Sequence, residues 1–117
     1  MNQKQMIQKI RKLVIKIVDL NNRVRFIKIH GGQYQQAGLP DLMILVNRQH
    51  FWLELKRDPS DIPTEIQSYN CERLAIQGFI TGFVFAKDKD LWYTSNWRKN
   101  TMYNPMPFDV FFADSIR

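Results

Sequence analysis

Leu39-Pro-Asp-Leu-Met-Ile-Leu-Val46, Asn47-Arg-Gln-His50 and Phe51-Trp-Leu-Glu-Leu-Lys56 are the consecutive stretches whose reading decides the fold. The first is an apolar run opened by Pro40, and proline is tolerated among the first residues of a strand, so the run reads as a central strand. The second is turn chemistry. In the third, Phe51, Leu53 and Leu55 alternate with Trp52, Glu54 and Lys56, the pattern of a strand with one apolar and one polar side. If Asn47 and Arg48 form a two-residue turn, Val46 faces Gln49, and counting back along the hairpin sets Asp41 opposite Glu54. A looser turn shifts the register by a residue or two. Either way the carboxylates are near neighbours, with Cβ atoms roughly 5 to 8 Å apart if they share a face. Glu54 and Lys56 point the same way, so an otherwise apolar sheet gathers two acids and one ammonium.

On the N-terminal side, Val24-Arg-Phe-Ile-Lys-Ile29 alternates apolar with basic residues and reads as another half-buried strand, preceded by a turn at Asn21-Asn22. It puts Arg25 and Lys28 on or near one surface. Lys28 follows the alternation toward the side of the two acids, where it is a candidate for contact with a substrate backbone. Earlier still, apolar residues at 6, 7, 10, 13, 14, 17 and 18 keep the three-four spacing of an amphipathic helix, spanning about residues 3 to 20. Lys4, Lys9, Arg11, Lys12 and Lys16 fall mostly off that stripe and are free to meet phosphates. On the C-terminal side, Arg57 to Pro63 is a loop. Thr64 is an N-cap, with Asp61 competing, for a helix to about Gln77 that Gly78 stops. Phe79 to Phe85 reads as a strand, and Asp88-Lys-Asp90 turns into a short strand, Leu91-Trp-Tyr-Thr94.

The order predicts an α/β domain with a mixed central sheet flanked by helices, a single domain over residues 1 to 117 with its core at about 24 to 94. The tail, about 100 to 117, contains Pro105-Met-Pro-Phe-Asp-Val-Phe-Phe112. That is too apolar to leave in water, so it packs across its own sheet or meets a second subunit.

The formal net charge is +6, and eight of the 17 basic residues lie within the first 30 positions against one acid, Asp19. A positive field concentrated at one end favours a polyanionic partner, above all nucleic acid. The single Cys71 makes neither an internal disulfide nor a cysteine zinc site and suggests a reducing compartment. No stretch approaches the ~18 continuous apolar residues of a membrane span, and no hydrophobic leader opens the chain. The expectation is a soluble, cytoplasmic, non-secreted protein. There is neither a GxGxxG nor a GxxxxGK[ST] pattern, so nucleotide binding is unsupported even with Gly31-Gly32 present.

Two carboxylates hold a hard divalent cation such as Mg²⁺ or Mn²⁺, with the carbonyl of Leu55 in reach as a further oxygen. A bound cation makes a water more acidic and neutralises phosphate charge, while Lys56 orients that water or stabilises developing negative charge. The competing reading of Glu54 and Lys56 is a structural ion pair at a sheet edge. His30 and His50 fit hydrogen-bonded or solvated groups better than a catalytic base. Cys71 fits packing. Trp92, Tyr93 and Trp97 with Arg98-Lys99 either stack unpaired bases or finish a small core.

Gly38-Leu-Pro-Asp41, then twelve residues, then Glu54-Leu-Lys56, resembles the PD-(D/E)xK nuclease signature. The continuation, Pro63-Thr-Glu-Ile-Gln67 and then Leu74-Ala-Ile-Gln-Gly78 before an apolar strand, is similar to the virus-type replication-repair nuclease (VRR-NUC) branch. The match spans roughly residues 28 to 86. The resemblance implies a restriction-endonuclease-like core and a metal-dependent, structure-specific endodeoxyribonuclease acting at branched DNA such as Holliday junctions or flaps. It implies a homodimer working in DNA repair, in a phage or bacterial setting. Asp41 and Glu54 would be metal ligands, Lys56 the catalytic lysine and Gln67 a supporting glutamine. One departure stands out: many relatives contribute an acid from the first helix, and here no Asp or Glu precedes Asp19. The alternative is therefore a non-catalytic DNA-binding module that keeps the fold.

Overall fold

A computed structural model describes residues 1–18, 23–29 and 38–116. Asp19, His30, Gly31 and Gly32 lie outside the described residues. In chain order the elements are helix α1 (Gln3–Ile17), strands β1 (Val24–Lys28), β2 (Leu42–Val46) and β3 (Gln49–Lys56), and helix α2 (Glu65–Ile76). Strands β4 (Ile80–Lys87), β5 (Asp90–Thr94), β6 (Asn96–Arg98), β7 (Thr101–Tyr103) and β8 (Met106–Pro107) follow, and helix α3 (Phe108–Ser115) ends the series. Six strands form one sheet in the order β1-β2-β3-β4-β5-β8, and β6 and β7 form a separate hairpin. Among the described residues only β3 and β4 run parallel, joined by the crossover helix α2, so the sheet is mixed.

The β2–β3 hairpin closes on two residues. Asn47 and Arg48 have φ of +50° and +65°, the backbone of a primed turn whose twist matches that of the flanking strands. The ladder runs from Val46↔Gln49 to Leu42↔Leu53, and one further step sets Asp41 opposite Glu54, as the two-residue turn predicts.

Alternation divides the sheet into two faces. Leu42, Ile44, Val46, Phe51, Leu53, Leu55, Val84, Leu91 and Tyr93 meet Met6, Ile10 and Val14 of α1 and Phe108, Phe111 and Phe112 of α3 in the main core. The opposite face carries α2 and a smaller cluster of Cys71, Phe83, Phe85 and Trp97, with Trp92 packed against it. A capping box starts α1, because the Asn2 side chain accepts the Gln5 N–H at 2.8 Å and the Gln5 side chain accepts the Asn2 N–H at 2.9 Å.

The core extends well past residue 94. The apolar tail packs on its own sheet as α3, where Phe108 and Phe112 are fully buried and the Phe112 ring lies 4.9 Å, centre to centre, from that of Phe51. Each such ring contributes about 1.5 to 3 kcal/mol of burial. The short strands β6, β7 and β8 carry too few residues for periodicity to reveal. Trp97 is buried between Phe83 and Phe85, so it finishes a core rather than presenting a stacking surface. Among the described residues no helix is long and apolar enough to cross a membrane.

Candidate functional site

Pro40 and Asp41 precede the first ladder pair of β2, and that break in the ladder builds the site. Ile29 still donates its N–H to the Asp41 carbonyl at 2.8 Å, which keeps β1 in register. On the other side the Asp41 side chain takes over: its Oδ2 accepts the Leu55 N–H at 2.9 Å. Continuing the register sets Leu55 opposite Pro40, which has no N–H to give, so proline supplies the Leu55 carbonyl with no ladder donor.

Glu54 is 3% exposed, under α2 and beside Asp41. Its pKa is pushed up from an ordinary 4.5 to about 10, first by burial and then by the hydrogen bond and the charge of Asp41, with Lys56 opposing. The metal-free pair therefore holds a proton at neutral pH. Glu54 Oε2 is buried and has no hydrogen-bond partner among the described residues. A buried, orphaned carboxylate oxygen facing a second carboxylate is what a hard cation would satisfy, so the donor set of Asp41, Glu54 and the Leu55 carbonyl fits Mg²⁺ or Mn²⁺. Among the described residues no cluster of three or more His, Cys, Asp or Glu suits a metal.

Lys56, also buried, donates from Nζ to Gln67 Oε1 at 2.9 Å. Gln67 is the third residue of α2 and closes its capping box: its N–H reaches Thr64 Oγ1 at 3.2 Å, and its Oε1 accepts the Thr64 N–H at 3.1 Å. One amide oxygen thus ties the start of a helix to the lysine. Asp61, which sequence reasoning treated only as a competing cap, stands with Oδ1 3.9 Å from Lys56 Nζ and accepts the Arg57 N–H at 3.1 Å. Its place beside the site arises from the path of the loop, for which residue spacing carries no signal.

Gly38 has φ +78°, and a Cβ there would meet Ile66 Cγ2 at 2.9 Å and Asn70 Nδ2 at 3.0 Å. The glycine lets the loop entering Pro40-Asp41 run tight against α2. Cys71, on the inner side of α2, has its thiol pushed up to about 12 by burial and by the charges of Glu54 and Asp41, which makes it a packing group and not a nucleophile.

Asp41, Glu54, Lys56 and Gln67 are thus brought together. The basic residues are not gathered around them. Arg25 pairs with Leu45 and shares the face of Glu54, whereas Lys28 pairs with Leu42, a core residue on the α1 face. Three positions apart in a strand is an odd number, so the expectation of one shared surface fails for this pair. Lys28 instead lines a cavity of about 360 Å³ with Lys4 and Arg11, and the Arg11 guanidinium sits 5.1 Å from the centre of the Phe26 ring. Lys9 donates to the Lys89 carbonyl at the β4–β5 turn. Lys12 and Lys16 are exposed on α1, which packs on the face opposite Glu54.

No protein-family model matches the chain, and no curated protein matches it. Among solved structures, the chain is similar to one described as a VRR_NUC domain, with 25% identity and a TM-score of 0.46 over 70% of this chain and 85% of that one.

Proposed function

We propose that this chain is a Mg²⁺- or Mn²⁺-dependent endonuclease that hydrolyses DNA phosphodiesters, with branched DNA such as four-way junctions or flaps as its substrate and a homodimer as its working form. The observation that carries the chemistry is the carboxyl pair of half-buried Asp41 and buried Glu54, with an unpartnered Glu54 oxygen, set beside a buried lysine. Such a pair is costly to keep without a cation. Held by Asp41, Glu54 and the Leu55 carbonyl, the ion would supply Lewis acidity and a more acidic water.

The chain's own residues supply the rest. Asp41 is oriented by the Leu55 N–H. Lys56 is held by Gln67, so its ammonium stays fixed beside the carboxylates, where it can stabilise negative charge developing on a phosphate oxygen. Lys4, Arg11 and Lys28, around the cavity next to the start of β2, would grip the phosphates of a DNA arm. Preference for branched DNA and dimerisation rest on the family resemblance of the motif.

The test is Mg²⁺- and Mn²⁺-dependent cleavage of four-way junction, flap and linear DNA by the wild type beside Asp41→Ala, Glu54→Ala and Lys56→Ala. Loss of cutting in all three, with folding and much of the DNA affinity retained, is the expected result. Undiminished cutting by all three refutes the reading. The second reading, a DNA-binding module without turnover, is favoured by the absence of any acid in α1; it predicts tight binding and no cutting by every one of these proteins.

A further inference from the structure

A cavity of about 550 Å³ lies at the closed end of the β2–β3 hairpin and is lined by Arg23, Arg25, Arg48 and His50 around Leu45. Among the described residues no acid lines it. The three guanidinium groups are exposed and make no ion pair or side-chain hydrogen bond among the described residues. Of the other arginines of the described residues, Arg11 lies over Phe26, Arg57 faces Asp61 and Arg98 pairs with Glu72, while Arg73 is exposed on α2 and does not line the cavity. Three arginines around one cavity concentrate positive charge, and the planar fork of arginine matches the paired oxygens of a phosphate.

The cavity is aligned with the carboxylate pair. Arg25, Leu45 and His50 form one rung across β1, β2 and β3, followed by the rung of Ile27, Met43 and Trp52. The next rung is that of Asp41 and Glu54, so all three share one face of the sheet. From His50 to Glu54 the strand rises about 13 Å. The His50 ring is itself fixed by stacking on Phe79, with centroids 5.3 Å apart and planes within 20°.

We infer that this arginine cleft is a second phosphate-binding subsite, which holds the DNA backbone at a distance from the bond that the carboxylate site would cut. The inference rests on the nuclease reading and extends it, because it directs the substrate over the β1–β3 rungs rather than across the outer face of α1. The occupant is a DNA backbone: one continuous sheet face, through the half-buried rung of Ile27, Met43 and Trp52, joins the cleft to the site, and a small free anion would need only the cleft.

The experiment measures equilibrium binding of a fluorescein-labelled DNA duplex in EDTA over a series of salt concentrations. It compares the wild type with Arg25→Gln/Arg48→Gln and with Lys12→Gln/Lys16→Gln, which removes the same charge from the opposite face. The arginine pair should lower the magnitude of the slope of log K against log salt by about 2, corresponding to two lost phosphate contacts, while the lysine pair leaves it near the wild-type value. An unchanged slope in the arginine variant, or an equal fall in the lysine variant, overturns the subsite even if the wild type cuts DNA. A wild type that neither binds DNA in a salt-dependent way nor cuts it removes the nuclease reading and the subsite with it.

Discussion

Glu54→Gln tests the physical claim on which the site depends, that a carboxyl is buried at a cost which a cation offsets. With a folded pKa of about 10 against an ordinary 4.5, the folded state holds a proton that the unfolded state releases throughout that window. More protons are bound in the folded state, so the stability of the metal-free protein falls as pH rises from 4.5 toward 10, by about 1.4 kcal/mol per pH unit. Between pH 6 and pH 8 the wild type should lose about 3 kcal/mol in EDTA. Replacing the carboxyl with an amide of the same shape removes that loss. At pH 7.5 the variant should exceed the metal-free wild type by up to about 4 kcal/mol, roughly 15 °C in Tm for a chain of this size. Mn²⁺ should restore the wild type and leave the variant nearly unmoved, because a ligand that binds only the folded state stabilises it. Urea unfolding followed by tryptophan fluorescence at pH 6, 7 and 8, with EDTA or with Mn²⁺, measures each quantity. A wild-type stability independent of pH in EDTA, or a variant with the same pH slope and metal response as the wild type, would refute the reasoning.

Two further substitutions separate architecture from chemistry. Gly38→Ala forces a Cβ to within 2.9 Å of Ile66 at a φ of +78° and should cost about 2 kcal/mol in denaturant unfolding; stability within experimental error of the wild type would contradict the close approach. Thr64→Ala and Gln67→Ala each disrupt the α2 capping box and should each lose about 1 kcal/mol. Only Gln67→Ala also frees Lys56, so it alone should lower kcat, with KM little changed. Equal kcat values for the two would dissociate the glutamine from the lysine.

The residue pattern by itself determined the hairpin at the centre of the sheet. Strict alternation in Phe51 to Lys56 and the apolar run after Pro40 make Asp41 and Glu54 near neighbours to within a residue or two of register, and the two-residue turn at Asn47-Arg48 in the structure selects the register that sets them opposite. The Thr64 cap was legible for the same reason, because capping acts over three residues of chain, whereas the part of Gln67 in that cap came only from the structure. What only the tertiary structure decided depends on packing between segments far apart in sequence. Burial under α2 turns Glu54 from a half-exposed strand carboxylate into one that keeps its proton. The seating of α1 on the opposite face takes its lysines away from the carboxylates. Loop closure brings Asp61 beside Lys56, and the apolar tail folds back as α3 to seal the sheet. Local backbone preferences and period-two alternation are written residue by residue, whereas desolvation and the choice of face arise from the sum of contacts across the whole fold, which no short window of sequence contains.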